Sequence, residues 1–148
     1  MSKYGKVTPH LTVKGGLEAI KFYEEALDAE VEDIMMAQDG VRVLHAELEI
    51  NDGVIFLNDE FLEMPGESHT RAPSTVGGAS VTVHLSLKKA KQVDRLIAQA
   101  ASAGAQIIMP PEDVFWGARY GRVRDPFGHV WSFGAPVKKK MKDKDDDK

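Results

Sequence analysis

The chain has 148 residues, a formal net charge of −4 and no cysteine, and 43% of its residues are hydrophobic. This size suits one domain, and the lack of cysteine excludes disulfides, thiolate-bound zinc and thiol nucleophiles. No apolar run reaches the roughly 20 residues that cross a bilayer, and Met1–Val13 lacks the features of a secretory signal, so we expect a cytoplasmic protein without a membrane partner.

The first predicted module spans residues 7–58. Val7–Val13 is typical of a strand, and the apolar residues after it recur at helical spacing, which predicts a helix over Gly16–Asp28. Three β-rich runs follow, separated by turn sequences that contain Asp-Gly. They are Val31–Met36, Val41–Ile50 and Val54–Asn58. The predicted order is therefore βαβββ.

A second module of the same kind is predicted over residues 80–135. It is separated from the first by residues 59–79, whose several Gly and Pro and lack of periodicity indicate a long loop. A strand, a helix over Lys88–Ala103 and three further strands follow. The predicted strands are Val81–Leu87, Ala105–Met109, Gly117–Arg124 and His129–Phe133.

The two modules also share sequence. His10–Lys14 (HLTVK) matches His84–Lys88 (HLSLK) at a constant offset, which indicates an internal duplication. Residues 138–148 contain six Lys and four Asp and are predicted to be a charged, disordered tail outside the domain of residues 1–137. The body before this tail is acidic, which argues against nucleic acid as a partner.

Four motifs, spread over about residues 7–137, point to a known family. They are Thr8–Val13 (TPHLTV), Ala19–Tyr23 (AIKFY), His45–Leu48 (HAEL) and Asp125–Trp131 (DPFGHVW). Together they resemble the vicinal-oxygen-chelate superfamily of glyoxalases, bleomycin-resistance proteins and dioxygenases, and within it the PhnB-like branch. The resemblance implies an α+β fold of two pseudo-symmetric βαβββ modules, in which curled mixed sheets form a shared cleft and the helices lie outside. It also implies a homodimer.

The resemblance further places the metal ligands of the metal-using members on the first and last strands of each module. The matching residues here are Thr8, Phe56, Thr82 and Ser132. None is His or Glu, and Phe56 cannot ligate a metal, so the usual two-His, two-Glu site and the glyoxalase I reaction are not expected. No cofactor follows from these positions, and a divalent metal held by other residues stays an open alternative.

Three histidines lie on predicted strands, and strand alternation places each on the polar face of its strand. The same alternation predicts that the core face of these sheets carries Leu44, Ala46, Leu48 and Ile50 in the first module and Trp131 and Phe133 in the second. One interpretation is that His10, His45 and His84, together with Glu47, form a displaced metal site or an acid–base group. The other is that these side chains are hydrogen-bonded residues that line the cleft, with one of them at a dimer contact.

Aromatic and arginine residues cluster in segment 115–122, at the expected rim of the cleft. Trp116 and Phe56 offer aromatic faces, and Arg119 or Arg122 offers a positive charge, which together suit a flat or anionic small molecule. The Phe-Trp pair that begins the segment is equally consistent with a hydrophobic loop clamp or a dimer contact.

Two classes of function remain open. The favoured class is a glyoxalase- or bleomycin-resistance-like protein that binds a small molecule without turnover. The alternative is a divalent-metal-dependent lyase, isomerase or dioxygenase-type enzyme that uses a displaced His/Glu site, so the sequence leaves catalysis itself undecided. The predicted ligand-binding residues are Thr8, Phe56, Thr82, Trp116, Arg122 and Ser132, and the candidate catalytic residues are His10, His45, Glu47 and His84.

Overall fold

A computed structural model of the chain describes residues 7–64 and 70–137. The first module contains β1 (His10–Val13), α1 (Gly16–Leu27), β2 (Glu30–Met36), β3 (Val43–Ile50) and β4 (Gly53–Asp59). The short helix α2 (Pro73–Val76) precedes the second module, which contains β5 (Thr82–Ser86), α3 (Ala90–Ala103), β6 (Gln106–Val114), β7 (Ala118–Arg124) and β8 (Val130–Pro136). The predicted tail lies outside the described residues.

Both modules have the same sheet topology. The strand orders are β1-β4-β3-β2 and β5-β8-β7-β6, and the first and last strands of each module are parallel neighbours. The other pairs are antiparallel. The predicted α+β fold of two βαβββ modules is therefore confirmed.

One face of each sheet packs against the helices, as strand alternation predicts. Leu48 and Leu57 of the first sheet and Trp131 and Phe133 of the second have no exposed surface. The helices α1 and α3 also contact each other, so the two modules share one hydrophobic core. Neither they nor any other helix in the described part of the chain is long and apolar enough to cross a membrane.

Buried Asp125 joins the two modules. Its carboxylate accepts hydrogen bonds from the hydroxyl of Tyr23 on α1 (2.5 Å) and from Nε1 of Trp131 on β8 (2.9 Å), as well as from two backbone N–H groups of its own turn. Burial, reinforced by the adjacent Asp125 carboxylate, raises the pKa of Tyr23, which keeps this hydroxyl protonated as a donor. The Asp-Pro-Phe-Gly sequence is therefore a contact between modules as well as a turn.

The strand predicted to end at Met109 is longer than expected. It continues to Val114 through Pro110 and Pro111. Proline has no N–H to donate to a neighbouring strand. The sheet tolerates both prolines because β6 is an edge strand and its pairing with β7 is irregular between Met109 and Glu112.

Leu44 was expected on the core face of β3, and this expectation is wrong. Met35 pairs with His45 and Met36 with Val43, so Leu44 is the extra residue of a β-bulge. Val43 is fully buried instead, and Leu44 is 49% exposed.

Candidate functional site

The face of the first sheet that points away from the helices, here called the first open face, carries His10, His45, Glu47, Phe56 and Asn58. His10 lies beside Phe56 across β1 and β4, and its ring centroid is 5.8 Å from that of His45 and 5.7 Å from that of Phe56. Nε2 of His45 is 3.6 Å from Oε1 of Glu47. Burial, and then the neighbouring His45, lower the pKa of His10, which the hydrogen bond with Asn58 partly opposes. His10 is therefore a neutral imidazole at neutral pH.

The corresponding face of the second sheet, the second open face, carries His84, Tyr120, Arg122 and Ser132. Nδ1 of His84 is 2.7 Å from Oγ of Ser132, and its ring stacks on Tyr120 with a centroid distance of 6.0 Å and an interplanar angle of 17°. Arg122 donates from Nε to the hydroxyl of Tyr120 at 2.9 Å. Burial lowers the pKa of His84, so its imidazole is also neutral at neutral pH.

The candidate catalytic residues are divided between the two sheets. His10, His45 and Glu47 lie on the first open face, and His84 lies on the second. Within the described ranges, three potential donor atoms within 4.8 Å of one another occur at Glu30, Glu32 and Glu49, a group that includes no histidine. The histidines thus form one close pair and one separate ring.

The four positions that the resemblance matched to metal ligands do not fit such a site. Thr8 precedes β1, and the ring of Phe56 packs against the two histidines of the first open face. Thr82 pairs with Val130, and the hydroxyl of Ser132 is engaged by His84. Phe56 has no atom that could bind a metal, and the hydroxyl of Ser132 is hydrogen-bonded to His84. These four positions therefore do not form a metal site that could support a reaction.

Of the two arginines considered for ligand binding, only Arg122 is on an open face. The guanidinium of Arg119 is held by Asp94 at 2.8 Å and by Asp113 at 3.0 Å. The hydrogen bonds with these carboxylates raise the pKa of Arg119, and its charge is already paired with two acidic side chains. Tyr120 lies within the predicted aromatic and arginine segment but is not among the predicted ligand-binding residues, although its spacing of two residues from Arg122 on a strand places both on one face.

Trp116 and Phe115 form the tip of the β6–β7 hairpin. Phe115 is 96% exposed and Trp116 is 58% exposed, and their rings meet at a centroid distance of 5.1 Å. The ring of Trp116 also lies 5.7 Å from that of Tyr120. This contact makes the hairpin tip an aromatic wall at one end of the second open face.

A cleft of about 400 Å³ lies between the modules, bordered by β1, α2 and β5. Most of its wall is apolar, and several of its polar groups bind one another. The hydroxyl of Thr12 pairs with that of Thr70, and Nε2 of His129 lies 2.8 Å from the carbonyl oxygen of Thr12. We assign this cleft to the module junction.

Comparison with known proteins agrees with this fold. Residues 7–133 match the Glyoxalase/Bleomycin resistance protein/Dioxygenase superfamily, and the chain belongs to it. An uncharacterized protein of Mycobacterium bovis is 41% identical over 132 residues, which cover 89% of this chain and 84% of the relative.

Solved structures from other bacteria share the fold. A Pseudomonas aeruginosa protein aligns with a TM-score of 0.69 and 22% identity, covering 90% of this chain and 99% of that one. A Bacillus cereus PhnB protein, described as a putative 3-demethylubiquinone-9 3-methyltransferase, aligns with a TM-score of 0.64 and 18% identity, covering 90% and 100%. At these identities the likeness extends to the fold alone.

Proposed function

We propose that the chain binds a small organic anion on its second open face, without the metal positions of its superfamily. The observation that carries this proposal is the pairing of Arg122. Arg42 and Arg119 are each held by two carboxylates, whereas Arg122 is held through Nε by the neutral hydroxyl of Tyr120. Among the described residues no carboxylate lies within salt-bridge distance of Arg122, so its charge is available to a ligand.

The surroundings of Arg122 favour an anion with a flat body. The ring of Tyr120 lies next to the guanidinium and the ring of Trp116 lies next to that of Tyr120, and aromatic rings bind flat molecules through their faces and edges. The neutral imidazole of His84 adds a polar group without a second charge. A monoanion such as an aromatic carboxylate matches this combination.

Benzoate is a suitable probe for this proposal. We expect saturable binding by calorimetry and a change in tryptophan fluorescence, because Trp116 borders the face. Arg122→Gln should weaken binding by at least about tenfold, since it removes the charge-assisted hydrogen bonds. Arg95→Gln, on α3, should retain the wild-type affinity. Absence of saturable binding, or equal affinity in both variants, contradicts the proposal.

The metal-dependent lyase, isomerase or dioxygenase is the second candidate function, and it rests on the first open face. The close pair of His10 and His45, with Glu47 beside it, is the observation that favours it. Titration with zinc, manganese, nickel or iron(II) should then shift the imidazole signals of both residues together while His84 stays unchanged. Independent behaviour of the two histidines removes this candidate.

We also propose that the chain belongs to the PhnB-like branch of the superfamily and that it forms a homodimer. Apolar side chains are exposed in both modules: Met35 at 52% and Leu44 at 49% on strands of the first sheet, and Phe115 at 96% at the tip of the β6–β7 hairpin. Burial of such side chains against a second copy would stabilise a dimer. Sedimentation should find a dimer, and Phe115→Ala should weaken it, because it removes the most exposed of these side chains. A monomer at every protein concentration contradicts this.

A further inference from the structure

We propose that the second open face is an oxyanion site formed by three hydrogen-bond donors, and that Ser132 and Gly134 are positioning residues that fix His84 as one of those donors. This inference rests on the proposed function and names the chemical group that the site recognises, a carboxylate or comparable oxyanion. It also assigns to Ser132 a role different from direct ligand contact.

Ser132 determines which nitrogen of His84 carries the proton. Its side chain is buried on β8, with 2% of the residue exposed, and among the described residues its hydroxyl bonds Nδ1 of His84. A buried hydroxyl proton without an acceptor is costly, so the hydroxyl donates to Nδ1. Because the imidazole is neutral, its own proton is then on Nε2, and His84 offers an N–H donor to the open face.

Gly134 determines where the ring of His84 lies. A Cβ atom at this position would stand 2.9 Å from Cε1 and 3.2 Å from Nε2 of His84, and 3.6 Å from Cδ1 of Tyr120. The first distance is shorter than side chains tolerate, so any larger residue would push the ring away. The missing side chain therefore lets the Nε2 edge of His84 rest above β8, beside Tyr120.

Tyr120 and Arg122 provide the other two donors. The oxygen of Tyr120 accepts the hydrogen bond from Nε of Arg122, which leaves its own proton free to donate. The terminal nitrogens of Arg122 add a charged donor. Glu112 pairs with Tyr120 across β6 and β7, and Asp52 lines the same recess as His84. Neither carboxylate forms a salt bridge with Arg122.

This set of groups discriminates between ligands. An N–H, a phenolic O–H and a guanidinium all donate, so they match the lone pairs of an oxyanion and leave no free imidazole lone pair for a metal ion. Benzoate and its neutral isostere benzamide therefore separate the oxyanion assignment from general affinity for flat molecules.

The first experiment needs no ligand. Side-chain nitrogen NMR of the full chain should find His84 in the Nε2–H tautomer. Ser132→Ala should mix the tautomers, because it removes the donor that holds the Nδ1 lone pair. Gly134→Ala should displace the ring, whereas Ser102→Ala, at an exposed position of α3, should leave the His84 signals unchanged. An Nδ1–H tautomer in the wild type, or no effect of either variant, overturns the positioning roles.

The second experiment compares the two probes. Wild-type protein should prefer benzoate to benzamide by at least about tenfold, and Ser132→Ala and Gly134→Ala should each weaken benzoate binding by about fivefold, since each disturbs one donor. Equal binding of the two probes overturns the oxyanion assignment but leaves small-molecule binding intact. Binding of neither probe overturns both, and the tautomer measurement still decides the positioning roles separately.

Discussion

The two open faces carry histidines at matched places of a repeated fold, but the neighbours of these histidines differ. On adjacent strands of the first sheet, His10 is followed by the ring of Phe56 and the carboxylate of Glu47. On the matching strands of the second sheet, His84 is followed by the hydroxyl of Ser132 and the guanidinium of Arg122. The difference teaches that the fold depends on the buried face of each sheet, while the open faces are free to acquire opposite charge and different chemistry.

The largest expected effect is on the free energy of unfolding, when Asp125, the carboxylate that joins the two modules, is removed. Asp125→Ala leaves the buried donors of Tyr23 and Trp131 without an acceptor, so we expect the free energy of unfolding to fall by about 3–5 kcal/mol. Urea denaturation followed by circular dichroism measures this loss. Asp94→Ala, which removes only an exposed ion pair with Arg119, should change stability little. Equal stability of the two variants would show that the modules are not joined as described.

Two tyrosine substitutions sharpen the distinction between the module junction and the binding face. Tyr23→Phe removes a buried hydrogen bond and should cost about 1–2 kcal/mol of stability without changing benzoate affinity. Tyr120→Phe removes a half-buried hydroxyl from the second open face, so it should weaken benzoate binding by about fivefold and leave the urea midpoint nearly unchanged. The opposite pattern in either variant contradicts the assignment.

A third test addresses the first open face. Phe56→Leu removes the ring that contacts both His10 and His45, and we expect a loss of about 0.5–1.5 kcal/mol. Benzoate affinity should stay within twofold of the wild type, since the binding residues lie on the other sheet. A large loss of affinity would mean that the ligand contacts both faces, as a shared cleft requires.

The smallest expected effect is on the pH dependence of stability. Burial lowers the pKa of His10 and of His84 below the unfolded value of 6.5. Their contribution is therefore fully present above about pH 6.5 and is lost as pH falls through the folded pKa values. Urea midpoints measured between about pH 7.5 and pH 5 should decline, and the decline should be shallower in His84→Asn. Asp39, whose pKa is lowered to about 2, titrates well below this range.

Most of the fold could be predicted because each module has a regular pattern of apolar residues. The alternation around Trp131 and the helical spacing after Val13 correctly gave the buried faces. The predictions were wrong where the pairing of neighbouring strands departs from the simple alternation of apolar and polar residues. Leu44 sits in a bulge, and β6 continues through Pro110 because an edge strand tolerates a missing N–H.

The candidate site was less accessible to sequence reasoning. The grouping of His10 with Phe56 follows from alternation and register, and both were singled out. The contacts of His84 depend on where β7 and β8 fall beside β5, which no local pattern encodes. Tyr120 and Gly134 were therefore not among the predicted site residues, although both contact the position of the His84 ring.

The most direct test of the difference between the faces is a benzoate titration of the wild-type chain in which the imidazole signals of His84 and His10 are followed together by NMR. We predict that the His84 signals shift and saturate, with a rise in the pKa of His84 as the anion binds, while the signals of His10 stay unchanged. A saturable shift of His10 with an unaffected His84 would contradict the account.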